Sequence, residues 1–151
     1  PDMKGKPYSV VIDYAHTPDG LENILRAVAA HKKGRLICVF GCGGNRDRKK
    51  RPIMGGIAAR YSNFCVLTSD NPRYENPDMI IEEIAAGIPQ DYDAYVKIEN
   101  RYQAIKYAMQ NAGKDDIIVI AGKGDEDYQE IAGVKHHFSD REAVAQLLDE
   151  V

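Results

Sequence analysis

The chain has 151 residues, a length that suits one domain with its own core and not two. Its composition, 44% hydrophobic and 28% charged, is ordinary for a globular protein. The net charge of −3 argues against broad binding to nucleic acid, which needs an excess of basic residues. No apolar run reaches the length of a membrane span. From the charge and the lack of such a run, we expect neither a nucleic-acid nor a membrane partner.

Strand and helix signals alternate along the chain, because apolar runs are separated by amphipathic repeats that begin with a capping residue or a proline. In chain order the predicted elements are a strand at residues 8–12, a helix capped by Thr17 with Pro18 at its first position, a strand at Leu36–Phe40, a helix from about Pro52, a strand at Phe64–Leu67, a helix opened by Asn76 and Pro77, a weaker strand at residues 95–98, a helix capped by Asn100, a strand at residues 117–120, and a helix opened by Ser139 and Glu142.

Continuous apolar strands between amphipathic helices indicate a mostly parallel sheet covered by helices on both faces. The predicted fold class is therefore α/β, a Rossmann-like domain of three layers. Residues 133–138 are expected to add one irregular edge strand. His136 and His137 lie in that stretch without carboxylates or cysteines at ligand spacing, so we expect strand residues there and no metal site.

Two further features concern the ends and the compartment. Residues 1–7 are interpreted as a linker, and residues 8–151 as the domain. Three cysteines, Cys38, Cys42 and Cys65, form no CxxC pair, and an odd count without a secretory signal fits buried thiols in a reducing cytoplasm. We therefore expect a cytoplasmic protein.

A polar cluster follows each strong strand, at residues 13–16, 41–46, 70–73 and 122–126. In a parallel sheet these four loops share one edge, so we expect them to converge on a single crevice. The loop at residues 70–73 reads Asp-Asn-Pro-Arg. Its carboxylate, amide and guanidinium could together hold both ends of a zwitterionic small molecule.

The glycine-rich segment 41–46 departs from two nucleotide-binding patterns. Arg46 takes the place of the third glycine in the dinucleotide fingerprint, and the GK[ST] triplet of a P-loop occurs nowhere in the chain. Arg46 adjoins glycines that let a ligand approach the backbone, so we interpret it as an anion contact. The next basic residues, Arg48, Lys49 and Lys50, are interpreted as solvated.

Each of three further side chains has two interpretations that the sequence leaves open. Lys123 lies between two glycines and could contact a phosphate or simply form a turn. Glu126 could receive an ammonium group or complement a helix dipole. His16 precedes a helix start and could contact a nucleotide or complete a turn.

Four motifs, in their order and spacing, are similar to those of one known family. They are Asp-Tyr-Ala-His-Thr-Pro at 13–18, Gly-Cys-Gly-Gly-Asn-Arg-Asp at 41–47, Asp-Asn-Pro-Arg at 70–73 and Ala-Gly-Lys-Gly at 121–124. Nearly end to end, the chain resembles the C-terminal domain of the Mur ligases, the ATP-dependent amino-acid ligases of peptidoglycan synthesis. Within the family it most resembles the members that add 2,6-diaminopimelate.

The resemblance implies a role for each candidate residue. Contacts to meso-diaminopimelate would come from Arg46, Asp70, Asn71, Pro72, Arg73, Gly122 and Glu126, and ATP would be faced by Asp13 and His16. No catalytic residue and no metal ligand is expected in this domain. ATP and Mg²⁺ would be bound mainly by a central domain of the same polypeptide, joined to this one through residues 1–7, and UDP-MurNAc-L-Ala-D-Glu by an N-terminal domain. The domain alone is expected to be inactive.

Arg73 carries the expected substrate preference. Diaminopimelate differs from lysine by a distal carboxylate, for which an arginine fork is the natural bidentate partner. Lysine-adding relatives typically lose this arginine. Asp125 stands where the family usually has histidine, so a related diamino dicarboxylic acid could also fit. Two other functions stay open, a non-enzymatic amino-acid-binding module and a folylpolyglutamate-type ligase domain, although the latter is not expected to carry the Asp-Asn-Pro-Arg motif.

Overall fold

The structure is a computed structural model that describes residues 3–151. Its helices and strands are β1 (Ser9–Asp13), α1 (Pro18–His31), β2 (Leu36–Phe40), α2 (Lys50–Tyr61), β3 (Phe64–Leu67), α3 (Pro77–Ala85), β4 (Tyr95–Lys97), α4 (Arg101–Asn111), β5 (Ile117–Ala121), β6 (Tyr128–Ile131), β7 (Val134–His137) and α5 (Asp140–Glu150).

Five strands form one parallel sheet in the order β1-β5-β2-β3-β4. The last of these five strands in the sequence, β5, inserts between β1 and β2, where Val119 pairs with Val11 on one side and Cys38 on the other. The carboxyl ends of β1, β5, β2 and β3 therefore adjoin along one edge. The predicted α/β class, with a parallel sheet covered on both faces, is confirmed.

The two faces of the sheet each bury a separate core. Side chains alternate along β2, so Leu36 and Phe40 point to one core while Ile37 and Val39 point to the other. The first core is closed by α1, α2 and α3, and the second by α4 and α5. Strands buried on both faces explain the continuous apolar runs in the sequence.

The predicted helix starts agree with the structure. Side chains of four N-cap residues accept a backbone hydrogen bond from the first helical turn: Thr17, Asn76, Asn100 and Ser139. Helix α2 begins at Lys50, two residues before Pro52, and has no side-chain cap.

A strand does form within residues 133–138, but the prediction that it adds to the edge of the main sheet is wrong. These residues form β7, which pairs antiparallel with β6 in a separate two-stranded sheet. The connecting residues Ala132 and Gly133 both have positive φ, as a tight hairpin turn requires. The hairpin lies against loop 70–73, where the backbone N–H of Arg73 donates to the carbonyl of Glu130 at 2.9 Å.

A buried ion pair ties the last helix to the ends of two strands. Arg101 on α4 and Asp140 on α5 are both fully buried, with Nε and Oδ1 2.8 Å apart. The same guanidinium donates to the carbonyls of Ser69, after β3, at 3.0 Å and of Ala121, in β5, at 3.3 Å. Each of the three guanidinium nitrogens of Arg101 therefore has a hydrogen-bond partner near the polar edge of the sheet.

The residues that precede β1 lie against the domain as far as the structure describes them. Met3 packs on the core beneath α4 and α5, and the carbonyl of Pro7 accepts from the N–H of Asp115 at 3.0 Å. Of the expected linker, Pro1 and Asp2 lie outside the described residues. No helix within residues 3–151 is long and apolar enough to cross a membrane.

Candidate functional site

A cavity of about 320 Å³ opens at the carboxyl ends of β1, β2, β3 and β5, and all four polar loops line it. Its lining includes seven of the nine candidate residues: Arg46, Asp70, Asn71, Arg73, Gly122, Glu126 and His16. The other two, Pro72 and Asp13, lie outside this lining. The volume is in the range of small-molecule sites, and the lining carries both charge signs.

A larger hollow of about 670 Å³ lies between α2 and residues 87–92, away from this edge. Its only charged lining residues are Arg60 and Asp91. It does not gather converging polar groups as the edge cavity does, and we therefore take the edge cavity as the functional site.

The glycine-rich segment allows two loops to pack together. A Cβ atom at Gly44 would collide with the carbonyl of Pro72, and the N–H of Gly44 donates to the carbonyl of Asn71 at 2.7 Å. The missing side chain is thus needed for contact between segment 41–46 and loop 70–73. Pro72 forms the back of the cavity wall rather than its lining.

Lys123 is neither a phosphate contact nor an ordinary turn residue. Its side chain is fully buried, and Nζ donates to Asn71 Oδ1 at 3.0 Å and to the carbonyl of Tyr128 at 2.7 Å. The ammonium also lies 3.1 Å from Asp70 Oδ1 and 3.7 Å from Glu126 Oε1. It therefore joins loop 70–73, loop 122–126 and β6 from inside the wall of the cavity.

Asp70 lines the cavity with a carboxylate that is paired on its buried side. Its Oδ1 atom is buried and lies 3.1 Å from the Lys123 ammonium, although none of the described residues donates it a hydrogen bond of good geometry. Gly122 has φ +119°, and a Cβ there would come within 3.3 Å of Asp70 Oδ2. An ionised carboxylate only accepts hydrogen bonds, so this position suits an ammonium ligand.

Arg73 is held at the cavity wall in a left-handed backbone conformation, φ +52°, that non-glycine residues seldom adopt. Its Nη1 donates to the carbonyls of Gly44 at 3.0 Å and Asn71 at 3.4 Å. Its Nε lies 3.6 Å from Glu130 Oε1 of the hairpin, and the side chain is 18% exposed. The hairpin and the two loops therefore fix the direction of this guanidinium.

Arg51 braces the glycine-rich segment, a role that the sequence analysis missed. The fully buried guanidinium donates to the carbonyl of Gly43 at 2.9 Å, to Glu75 at 2.8 Å and to Glu83 at 3.1 Å. Glu75 in turn accepts from the backbone N–H of Asn45. The hydrogen bonds from Arg51 lower the pKa of Glu75 to about 2.

A sequence signal for Arg51 did exist, since Arg51, Met54 and Ala58 recur at helical spacing on the buried face of α2.

The basic residues next to Arg51 in the sequence are more accessible to solvent. Arg48 is 65% exposed and pairs with Glu83 at the surface. Lys50 differs from the solvated interpretation, because it lines the cavity and its Nζ donates to the carbonyl of His16 at 3.1 Å.

The loop after β1 is more open. Asp13 Oδ1 accepts from the N–H of Ala15 at 2.8 Å, and His16 Nδ1 lies 2.9 Å from the carbonyl of Tyr14, to which it would donate. Asp13 and His16 share a hollow of about 550 Å³ that adjoins the cavity. Tyr14 stands edge-on to the His16 ring and is 55% exposed.

Other reactive groups are engaged elsewhere or neutral. Burial raises the pKa of the Cys42 thiol at the cavity to about 12, so it stays protonated at neutral pH. Asp125 accepts from Arg141 at 2.8 Å and does not line the cavity.

His137 has a carboxylate partner that the sequence analysis did not consider, because its Nε2 lies 3.0 Å from Glu142 Oε1. Within residues 3–151, no three His, Cys, Asp or Glu side chains are grouped to hold a metal ion.

A parallel sheet with a charged crevice at the strand ends is typical of α/β domains that bind small polar molecules. The family model described as "Mur ligase, glutamate ligase domain" matches residues 2–124, and the chain therefore belongs to the Mur ligase family.

Similar proteins agree with this assignment. A relative from Caldanaerobacter subterraneus subsp. tengcongensis, named UDP-N-acetylmuramoyl-L-alanyl-D-glutamate--2,6-diaminopimelate ligase, is 52% identical over 99% of this chain and 31% of its own length. A solved structure of a ligase with that name is 45% identical, with a TM-score of 0.92 over 96% of this chain and 30% of the other. The chain thus spans under a third of the length of these relatives.

The fold is shared more widely. A solved bifunctional folylpolyglutamate synthase/dihydrofolate synthase with Mn, AMPPNP and L-glutamate bound has a TM-score of 0.60 at 16% identity, over 78% of this chain and 27% of its own. At that identity the likeness concerns the fold alone.

Proposed function

We propose that this chain is the amino-acid-binding C-terminal domain of an ATP-dependent ligase that adds meso-diaminopimelate to UDP-MurNAc-L-Ala-D-Glu in peptidoglycan synthesis. The observation that carries the proposal is one cavity in which the Arg73 guanidinium and the Asp70 and Glu126 carboxylates meet. Family membership and the names of the full-length relatives support it.

The charges in the cavity complement a diamino dicarboxylic acid. Asp70 lines the cavity with one carboxylate, and Glu126, with a side chain 23% exposed, provides a second carboxylate for an ammonium group. Arg73 offers its guanidinium to the distal carboxylate, and Arg46 at the rim offers another to the carboxylate at the opposite end. Asn71 Oδ1 is fully used by Lys123 and by the N–H of Glu130, which leaves its amide N–H groups for the ligand.

This arrangement favours diaminopimelate over lysine. Lysine lacks the distal carboxylate and would give Arg73 no ligand partner. Sites built to bind a polar group that an analogue lacks can reject the analogue by roughly 10⁴-fold. The proposed substrate is thus one that offers Arg73 a carboxylate, which lysine cannot do.

In the proposed reaction, ATP phosphorylates the free side-chain carboxylate of the D-glutamyl residue to an acyl phosphate. The diaminopimelate amine attacks the carbonyl carbon, a C–N bond forms, the amine loses a proton, and the bond to phosphate breaks through a tetrahedral intermediate. The present domain contributes by holding the amine in position, which removes much of the entropic barrier to attack. Asp13 and His16 would face ATP after the domains close together.

The cofactors and partners follow from this proposal. ATP and Mg²⁺ would be held mainly by a central domain of the same polypeptide, and the UDP-linked dipeptide by an N-terminal domain. A reaction that consumes ATP and a nucleotide-linked precursor belongs in the cytoplasm, where we propose that the protein acts. The domain alone is proposed to form no amide bond, and detection of ligase activity from residues 1–151 would contradict this.

Calorimetry on the complete gene product tests the proposal. With an ATP analogue and the UDP-linked dipeptide present, we expect meso-diaminopimelate to bind and lysine to bind far more weakly. Arg73→Ala should cost about 2–5 kcal/mol of diaminopimelate binding, because a charged pair loses one partner. Arg141→Ala, at a 56% exposed arginine outside the cavity, is the matched control and should leave binding unchanged.

The same titration separates the alternatives. Binding of glutamate in place of diaminopimelate would favour a folylpolyglutamate-type ligase. Binding of diaminopimelate without any turnover in the complete gene product would favour a non-enzymatic module. An unchanged affinity in Arg73→Ala would show that Arg73 does not bind the distal carboxylate.

A further inference from the structure

Arg73 already has an anionic partner within the chain. Glu130 of β6 brings Oε1 to 3.6 Å from Arg73 Nε, with the two side chains 18% and 23% exposed. The backbone of Glu130 is held on both sides, since its N–H donates to Asn71 Oδ1 at 3.0 Å and its carbonyl accepts from the N–H of Arg73 at 2.9 Å. Only the side-chain torsions of Glu130 are therefore free to move its carboxylate.

The hydrogen bonds of Arg73 limit how a ligand carboxylate can approach. A guanidinium binds a carboxylate bidentately through two neighbouring nitrogens, either Nη1 with Nη2 or Nε with Nη2. Nη1 is engaged by the carbonyls of Gly44 and Asn71, which belong to the interlocked loops. Among the described residues none accepts a hydrogen bond from Nη2. The Nε–Nη2 side is thus the available one, and Glu130 stands beside Nε.

We propose that Glu130 is a specificity-determining residue that acts through Arg73. In the empty site it neutralises the guanidinium, and the distal carboxylate of the substrate displaces it to bind Nε and Nη2. This inference rests on the proposed function of the cavity. It makes selection a competition between two carboxylates, one from the ligand and one from the hairpin.

This competition between carboxylates also changes the expected affinity of the cavity for lysine. When lysine occupies the cavity, Glu130 stays in place, so Arg73 keeps a partner and the penalty for an unpaired guanidinium is reduced. When diaminopimelate binds, Glu130 has to leave, and its negative charge opposes the incoming carboxylate. Glu130 therefore narrows the difference in affinity between the two amino acids.

Glu130→Gln tests this because it removes the charge and keeps the shape. We expect it to tighten meso-diaminopimelate binding about fivefold, the equivalent of an ion pair at the upper end of partly exposed values. Lysine binding should weaken or stay the same. The ratio of the affinity for diaminopimelate to the affinity for lysine should therefore rise by about fivefold or more. Glu130→Asp, which keeps the charge and withdraws it from Nε, should give an intermediate ratio.

The experiment is calorimetry on the complete gene product, with the ATP analogue and UDP-linked dipeptide present. Glu82→Gln is the matched control, since Glu82 pairs with Lys97 outside the cavity at 2.7 Å and loses the same charge. The effect of Glu130→Gln should vanish in an Arg73→Ala background, because the two residues act as a pair. A purely structural role of Glu130 would not change the ratio of affinities.

Each other outcome overturns the inference. Equal weakening of both ligands would show that Glu130 only supports the hairpin, and weaker diaminopimelate binding alone would show that it aims Arg73 rather than competing for it. Unchanged affinities in Glu130→Gln, with the Arg73→Ala loss intact, would refute this inference and leave the proposed function standing. Failure of the wild-type protein to bind diaminopimelate would refute both this inference and the proposed function.

Discussion

The two halves of the polar edge are built in different ways. Two fully buried cations hold one half: Lys123 joins loops 70–73 and 122–126, and Arg51 binds Gly43 of segment 41–46 to Glu75 and Glu83. Segment 41–46 is also hydrogen-bonded to loop 70–73 through Gly44. Loop 13–16 has no fully buried side chain to hold it. Two hydrogen bonds lie within the loop, two reach its backbone from the N–H of Gly122 and the side chain of Lys50, and its Tyr14 is 55% exposed.

The difference indicates which part of the site is formed in advance. A pocket whose walls are already fixed loses little conformational freedom when a ligand enters, which favours selective binding. A loop that makes few contacts with its neighbours can instead adjust to a second surface. We infer that the half proposed to bind the amino acid is preformed and that the half proposed to face ATP is completed when another domain closes over it.

The largest test of this comparison removes the cation at the centre of the interlocked half. Lys123→Met keeps the length of the side chain but leaves the carboxylate of Asp70 and the amide of Asn71 without their buried partner. We expect the free energy of unfolding of the domain to fall by about 3–5 kcal/mol, measured by urea denaturation. Lys97→Met, at a surface pair, should change it by less than about 1 kcal/mol. Equal effects in both variants would contradict the comparison.

A smaller, pH-dependent effect is expected at Glu75. Its pKa is lowered from 4.5 to about 2, so its contribution to stability is present above pH 4.5 and is lost as the pH falls towards 2. The difference in unfolding free energy between wild type and Glu75→Gln should therefore shrink over that range. Glu22→Gln, on α1 beside Tyr61, is the control outside segment 41–46. A difference that does not vary with pH would show that Arg51 does not hold this carboxyl in its ionised form.

The smallest effect is expected in the open half. His16→Ala should change the free energy of unfolding by no more than about 0.5 kcal/mol, because its ring bonds only to the neighbouring carbonyl of Tyr14. Diaminopimelate binding measured without nucleotide should also be unchanged, whereas binding of the ATP analogue should weaken. A loss of stability comparable to that of Lys123→Met would show that loop 13–16 is as firmly built as the other half.

Much of the fold could be predicted because its signals are local. Strands such as Phe64–Leu67 are apolar runs, and the caps at Thr17 and Ser139 act within one helical turn. The strand β6 was missed because Tyr-Gln-Glu-Ile has no such apolar run. Its position depends on β7 and on contact with Arg73, neither of which adjoins it in sequence.

The meeting of the four loops could be predicted from parallel topology alone, whereas the partners of individual side chains could not. Lys123 reads as a turn residue between glycines, because its acceptors at Asn71 and Tyr128 belong to other segments. The contact between Glu130 and Arg73 could not be predicted either, because the two residues are far apart in the sequence. Asp125 departs from the family pattern, yet it contacts Arg141 and leaves the cavity lining unchanged.

The buried pair of Arg101 and Asp140 has a consequence for the order in which the protein is made. Arg101 and the strand ends that it contacts precede α5 in the sequence, so a nascent chain that stops short of Asp140 lacks the carboxylate that hydrogen-bonds to this guanidinium. A buried charge without its ion-pair partner is destabilising. Docking of α5 therefore completes the charge pairing beneath the polar edge, although every residue that lines the cavity lies earlier in the chain.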